Sequence, residues 1–422
     1  MHCYNYWRHE DEHKSSDDHL SLEKAQKLME IIKEHRVPCL TLTGGEPFLN
    51  KEVLFYILDF ASKNNISYGI NSNLTYLPDD ALEMLEKYGA GVMTSLLSFD
   101  KETHDKIVGR AGAFDRTIAN IKKLRARGLG VSLNMVTSKE NISHVLKTGE
   151  FVKKELGIKS FTASKMCVPI TASVEFALAN EVTKQEVLQS LDALVELKQK
   201  YQMNVGNQHC YPDCFIQDLT KYADLNLRRC GSGVSHCAVG ANGDVRSCAL
   251  TDKTYGNIFS ESLKDIWLKM TEWRDGSLIP SGCKECPSLY HCTGGCRASA
   301  LSANKSMAGM DPLATPLERD QIKHVSCYCG KKLFNPDQNY ELPKLMSRAE
   351  TFGYVVAPLP VPYADLVVTK GAWKLLEKIQ GTAFVPSELV EKEKLPRDNV
   401  YSVLSALYMQ GIMYPAEKLN SL

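Results

Sequence analysis

The stretch VPCLTLTGGEP, residues 37–47, runs an apolar, β-favouring segment straight into Gly44-Gly45-Glu46-Pro47. Val, Leu and Thr suit a buried strand. The two glycines let backbone approach a ligand closely, and Pro47 fixes φ where the chain leaves the strand. A carboxylate at that point can receive an ammonium group through a charge-assisted hydrogen bond; it can equally belong to a tight strand-to-helix turn. The flanks decide the fold. Upstream, Ser21 is an N-cap candidate for a helix with Leu22, Ala25, Leu28 and Ile32 on one face. Downstream, helices alternate with ISYGIN (66–71), GVMTSLLS (91–98), LGVSLNMV (129–136) and IKSFTA (158–163). Five strands separated by helices predict an α/β fold with a parallel sheet or barrel. Ligands of such folds bind at the C-terminal ends of the strands, where GGEP sits. The series opens on a helix, so a first strand is expected to be missing from its head.

The bulk composition narrows the class. At 422 residues the chain predicts two or three domains, with 44% apolar and 24% charged residues, ordinary for a globular protein. Fifty basic and fifty acidic residues cancel, so no global field recruits nucleic acid or an anionic membrane. No signal peptide and no membrane-spanning apolar run is visible. The expectation is a cytoplasmic chain with neither nucleic acid nor membrane as partner.

Cysteine stands out. Eleven of the fourteen lie from Cys210 to Cys329, while Cys39 and Cys167 stand alone in apolar stretches and read as core thiols. A reducing compartment disfavours disulfides, and short fixed spacings point to metal. CKECPSLYHCTGGC (283–296) gives Cys283, Cys286, Cys292 and Cys296 the spacing C-x2-C-x5-C-x3-C. Upstream, Cys230, Gly243 and Cys248 have the spacing C-x12-G-x4-C; Cys327 and Cys329 follow downstream. Soft thiolates at turn spacings suit iron–sulfur clusters or zinc. Eight thiols suffice for two four-thiolate sites.

This cysteine pattern resembles the SPASM auxiliary-cluster domain of radical SAM enzymes, a family whose GGEP motif holds the amino group of S-adenosylmethionine. GINSNL (69–74) resembles the family's third-strand segment, and LLSFDKETHDKIVGRAGAF (96–114) its fourth strand and following loop. The resemblance runs from Met1 to about Gly330. It implies a partial (β/α)6 radical SAM barrel lacking its first strand, then a SPASM domain. The opening MHCYNYW also resembles part of the family's C-x3-C-x-Φ-C cluster motif: Cys3 matches the third cysteine and His2 the Φ position. The other two cysteines would precede Met1, so the chain is expected to start inside the motif.

The resemblance implies site roles. A [4Fe–4S] cluster on three thiolates, Cys3 among them, leaves one iron open to the amino and carboxylate groups of S-adenosylmethionine. One electron then cleaves the sulfonium to methionine and a 5′-deoxyadenosyl radical. Cys3 and Glu46 are the implied catalytic residues. Gly44, Gly45 and Glu46 would hold the methionine amine and Ser98 the ribose; Asn73, Arg110 and Asn134 are further cofactor candidates. Cys230, Cys248 and Cys296 belong to one auxiliary cluster, whose fourth position is open or filled by Cys210, Cys214 or Cys237. Cys283, Cys286 and Cys292 belong to the other, completed by Cys327 in preference to Cys329. Sulfatase-maturing relatives have an aspartate base after the cysteine matching Cys248; Ala249 stands here and weighs against that activity. His9, His13 and His19 lie in an acidic run that reads as a solvated loop.

The expected organisation is a radical SAM barrel over 1–175, a helical bridge over 176–229, a SPASM domain over 230–335 and a winged-helix-like peptide-recognition domain over 340–422. The last rests on AWKLLEKIQ and DNVYSVLSALYMQ as helices, with GYVVAP, DLVVT and GIMYP as strands. The function this implies is oxidative modification of a ribosomally made peptide, by thioether or carbon–carbon crosslinking. Its partners are a leader-bearing peptide and an external one-electron reductant of flavodoxin or ferredoxin type. Two other readings stand beside it: oxidation of a small molecule or protein side chain without crosslinking, and a non-catalytic cluster-binding scaffold.

Overall fold

All five expected strands form, and two more join them. A computed structural model describes residues 19–170, 172–180, 182–223, 225–286, 288–323, 334–350, 353–358, 366–409 and 412–416. The chain opens with α1 (Leu22–Glu34), β1 (Cys39–Leu42), α2 (Lys51–Lys63), β2 (Ser67–Ser72), α3 (Asp79–Tyr88) and β3 (Val92–Ser95). It continues through α4 (Lys101–Val108), α5 (Ala113–Ala126), β4 (Val131–Thr137), α6 (Val145–Lys154) and β5 (Ser160–Lys165). Then come α7 (Val174–Ala179), α8 (Lys184–Tyr201), β6 (Asn204–Asn207), α9 (Asp213–Ile216) and β7 (Asn226–Leu227). The seven strands lie side by side in chain order, and each neighbouring pair from β2 to β7 is parallel. Sequential parallel order with helical crossovers is the winding of a (β/α) barrel. The head of the series, from which a first strand is expected to be missing, lies outside the described residues.

One boundary needs correction. Residues 176–229, expected to be a helical bridge, also contribute β6 and β7 to the parallel sheet. β6 reads NVGN, too short and too polar to announce a strand; its pairing with β5 supplies what its own propensity lacks.

Side-chain alternation gives the sheet two faces. Val131, Leu133, Met135 and Phe161 are buried on the face that α5, α6 and α8 cover. Met93, Ser95, Ser132, Asn134 and Thr162 share the opposite face through the strand register and are half-buried. Polar residues on the uncovered face are the pattern of a wall that meets a ligand. At the head of α1, Ser21 Oγ accepts from Lys24 N at 3.2 Å, the N-cap expected from sequence.

The cysteine-rich stretch forms a small antiparallel sheet of β8 (Ala238–Val239), β9 (Asp244–Arg246) and β10 (Thr254–Asn257), in the order β10-β9-β8. It is followed by α10 (Leu263–Leu268), α11 (Leu289–Cys292) and α12 (Arg297–Asn304). All of this, with residues 42–59 and the segment up to Leu28, belongs to one compact unit whose main span is Ile70–Lys323.

A second unit groups Met29–Thr41, Phe60–Gly69 and the C-terminal residues. Its C-terminal part contains β11 (Tyr340–Glu341), β12 (Leu345–Ala349), β13 (Tyr354–Pro358), β14 (Leu366–Val368), α13 (Lys370–Ile379), β15 (Ala383–Phe384), α14 (Pro386–Glu393), α15 (Arg397–Met409) and β16 (Tyr414–Pro415). β13 lies between β12 and β14, and β11 between β15 and β16; all four pairings are antiparallel. Tyr340, Leu342, Leu376, Leu404, Leu407 and Met413 form its core. Among the described residues of both units, no helix is long and apolar enough to cross a membrane.

Candidate active site

At the C-terminal end of β1 the chain passes through Gly44 and Gly45 into Glu46. Gly44 has φ +152°, and a Cβ at either glycine would meet nothing within 4 Å. The glycines therefore border open space, room that backbone offers to a ligand. Glu46 caps the short helical turn Pro47–Asn50, its Oε1 accepting from Phe48 N at 3.3 Å. The same oxygen accepts from Ser72 Oγ at 2.7 Å, while Oε2 accepts from Asn73 N at 2.9 Å. GGEP and the end of β2 thus meet at one carboxylate. Each carboxylate oxygen has two lone pairs, so one acceptor position remains, on Oε2. Burial raises the Glu46 pKa above the usual carboxylate range, against the pull of its three donors.

The other candidate residues differ in readiness. Asn134 Oδ1 accepts from Thr162 Oγ1 at 2.8 Å and Ser164 Oγ at 3.3 Å, which aims the amide nitrogen away from both. Asn73 is exposed, and its Oδ1 accepts from Thr75 N and Oγ1. Arg110 is exposed on the turn after α4. Ser98 is fully buried: its Oγ accepts from Asp100 N at 2.9 Å and lies 2.9 Å from His144 Nδ1. Contact between Ser98 and a ribose would require that hydroxyl to leave His144. Cys3, His9 and His13 lie outside the described residues.

The thiols fall into two groups. In the first, Cys210 hydrogen-bonds Cys230, and Cys167 hydrogen-bonds Cys296. Cys230 and Cys296 both lie near Cys248, whose thiol burial pushes up to about 11. Among the candidates for the fourth position, Cys210 pairs with Cys230. Cys167, expected as a core thiol, is half-buried and lies against Cys296, with Ser299 Oγ 3.6 Å from its sulfur. It lies two residues beyond β5, so the end of that strand comes to this group.

The second group lines a cavity. Cys214, Cys283, Cys286 and Cys292 surround it with Pro212 and Gly294 among the remaining walls. Cys292 Sγ accepts from Asp213 N at 3.4 Å. Cys327 and Cys329 lie outside the described residues. No disulfide forms among the eleven described cysteines, and no three potential ligands among the described residues are placed to hold one metal ion.

Residues that spacing alone did not reveal hold these thiols in place. Asp311, 1% exposed, accepts from Cys296 N at 2.8 Å; burial pushes its carboxyl up to about 6. Arg297, 4% exposed, donates to the carbonyls of Leu278, Met307, Gly309 and Gly294 and so knits the loops around Cys296. Asp213 and Arg229 form an ion pair at 2.8 Å, each beside a cysteine of a different group. Arg297, Asp213 and Arg229 adjoin a cysteine in sequence, whereas Asp311, between Met310 and Pro312, carries no such signal. Gly243, by contrast, is explained as part of the motif. Its φ is +94°, and a Cβ there would lie 2.4 Å from Phe259 Cδ2 and 2.6 Å from Asn257 Oδ1. Only glycine closes the turn between β8 and β9 at that position.

Residues 1–152 match the Radical SAM superfamily, and residues 230–287 match SPASM, an iron–sulfur cluster-binding domain. The chain is a radical SAM protein with a SPASM domain. Two curated relatives illustrate its range. An AdoMet-dependent heme synthase of Methanosarcina barkeri is 27% identical over 312 residues, 69% of this chain and 86% of that protein. The antilisterial bacteriocin subtilosin biosynthesis protein AlbA of Bacillus subtilis is 27% identical over 297 residues, 68% of this chain and 62% of AlbA. Among solved structures, native anSMEcpe with bound AdoMet and Cp18Cys peptide has a TM-score of 0.58 at 17% identity, covering 71% of this chain and 88% of that one. This last likeness is one of fold. The radical SAM protein thus has its fold and its two cofactor types, S-adenosylmethionine and iron–sulfur clusters, from its family.

Proposed function

We propose that this radical SAM protein is a peptide maturase that oxidatively modifies a ribosomally made peptide, closing a thioether or carbon–carbon crosslink. The observation that carries the reading is the joint presence, in one unit, of the Glu46 site and two separate thiol groups. Gly44, Gly45 and Glu46 would hold the methionine amine of S-adenosylmethionine, with Asn134 as a further cofactor contact. Cys3 would serve the radical SAM cluster. Cys230, Cys248 and Cys296, with Cys210, would hold one auxiliary cluster, and Cys283, Cys286 and Cys292 the other. When bound, the cofactor and its cluster supply abstraction of a hydrogen atom from the substrate. Closing a bond within a peptide removes two hydrogens, so an electron acceptor is needed; the two thiol groups are where one would be held. AlbA, named for bacteriocin biosynthesis, and the peptide bound in anSMEcpe support a peptide as the substrate.

The C-terminal region, 340–422, would capture the leader in a winged-helix-like module. Its three helices and short antiparallel strands favour that reading, because a strand edge can pair with an extended peptide. A flavodoxin- or ferredoxin-type protein would supply electrons. Reduced thiols suit the cytoplasm.

The test is anaerobic incubation of the iron-reconstituted chain with S-adenosylmethionine, a reductant and a leader-bearing precursor. The expected products are 5′-deoxyadenosine and a peptide lighter by two hydrogens. Full iron content without deoxyadenosine would replace the enzyme with a scaffold. A second reading, oxidation of a small molecule, draws on the heme synthase, of which the match covers 86% against 62% of AlbA. Deoxyadenosine formation stimulated by a porphyrin and not by peptide would select it.

A further inference from the structure

Cys210 and Cys214 are four residues apart, yet they face different thiol groups. Cys210 pairs with Cys230. Beyond it, Pro212 turns the chain into α9, and Cys214 emerges on the cavity wall with Cys283, Cys286 and Cys292. Its position is held from two sides. Thr315 N donates to Cys214 Sγ at 3.2 Å, and Thr315 Oγ1 donates to the Cys214 carbonyl at 2.7 Å. Both bonds come from Thr315 and fix Cys214 on the cavity wall. The next group along the same turn, Asp213 N, donates to Cys292 Sγ at 3.4 Å. One turn therefore supplies a thiol to the cavity and a hydrogen bond to a second thiol in it.

We propose that Cys214 is the fourth thiolate of the second auxiliary cluster, with Cys283, Cys286 and Cys292, in the place that the family resemblance gives to Cys327. The inference rests on the reading of these thiols as iron–sulfur ligands. Four soft donors around one cavity satisfy a four-thiolate cluster without a downstream ligand. The turn carrying Cys214 then ties the second cluster to the first through Cys210 and Cys230. The same turn places the Asp213–Arg229 ion pair between the two groups.

The experiment compares the full chain with its Cys214→Ala and Cys327→Ala variants after identical anaerobic reconstitution. Iron per chain and the electron paramagnetic resonance of the reduced protein are read for each. The expected result is loss of about four iron atoms and of one cluster signal in Cys214→Ala, with wild-type values in Cys327→Ala. Wild-type iron and spectrum in Cys214→Ala overturn the proposal. Should both variants lose iron, Cys214→Ser decides. Retained iron with an altered signal supports ligation, because oxygen has replaced sulfur on the cluster; an unaltered signal, or iron lost with the fold, refutes it. Absence of iron from the wild-type chain overturns the cluster reading itself, and this proposal with it.

Discussion

Replacing Glu46 by glutamine changes few atoms and removes one charge, so its consequences can be worked from the bonds. Oε1 has both lone pairs engaged, by Ser72 Oγ and Phe48 N, and Oε2 has one, by Asn73 N. In Glu46→Gln the amide oxygen can keep the first two donors only by turning its NH2 group toward Asn73 N–H. That removes the remaining acceptor position and leaves two donors facing each other. The alternative flip keeps Asn73 but faces Phe48 N with a donor. Either way the charge-assisted bond available to an ammonium is gone, a loss of about 1.5–3 kcal/mol. This corresponds to roughly ten- to a hundredfold weaker binding of S-adenosylmethionine. Isothermal titration with the reconstituted chain, alongside thermal unfolding, measures both effects. The pH dependence has a definite sign. Burial raises this carboxyl's pKa in the folded chain, so its ionisation lowers stability as pH rises from the ordinary carboxylate range through the raised value. Over the same interval ammonium binding strengthens, and Glu46→Gln should abolish both trends. Unchanged affinity in a folded Glu46→Gln chain, with stability alone reduced, would leave Glu46 as a clamp between β1 and β2 and refute its role toward the cofactor.

Three further outcomes follow from the packing. Gly243→Ala forces a left-handed φ on a residue with a Cβ and drives that carbon into Phe259 and Asn257; it should cost about 2–4 kcal/mol in chemical denaturation. An unchanged midpoint would mean the motif glycine is dispensable. Arg297→Met strips donors from four carbonyls, that of Gly294 buried and those of Leu278, Met307 and Gly309 partly buried; a buried one left unmade costs about 1–3 kcal/mol and the partly buried ones less. Stability should fall by at least about 3 kcal/mol and iron should be lost first from the group containing Cys296, read by spectroscopy during thermal unfolding. Deleting residues 340–422 should raise KM for a leader-bearing precursor far more than for a leaderless core peptide, since tethering supplies up to about millimolar effective concentration. Equal KM values before and after deletion would assign the region another task.

The sequence by itself determined the order of elements and the chemistry of the site. Period-2 and helical patterns over residues 22–165 place each strand within two or three residues of its final bounds, because the strand face packed on helices must be apolar whatever the other face meets. GGEP announced a turn at a strand end, and Glu46 does cap the turn Pro47–Asn50 that follows. Cysteine spacing likewise announced metal, since C-x2-C-x5-C-x3-C is a local property of one loop. Tertiary structure decided what depends on non-local partners. β6 and β7 are strands because β5 pairs the first and β6 the second, not because NVGN and NL favour the conformation. Spacing says that thiols gather, but not which ones share a cavity. The turn at Pro212 sends Cys210 and Cys214 to different groups, and the end of β5 carries Cys167, an isolated cysteine in sequence, to Cys296. Asp311 and Arg297 carry no motif; they act by filling hydrogen bonds to backbone that only folding brings within reach.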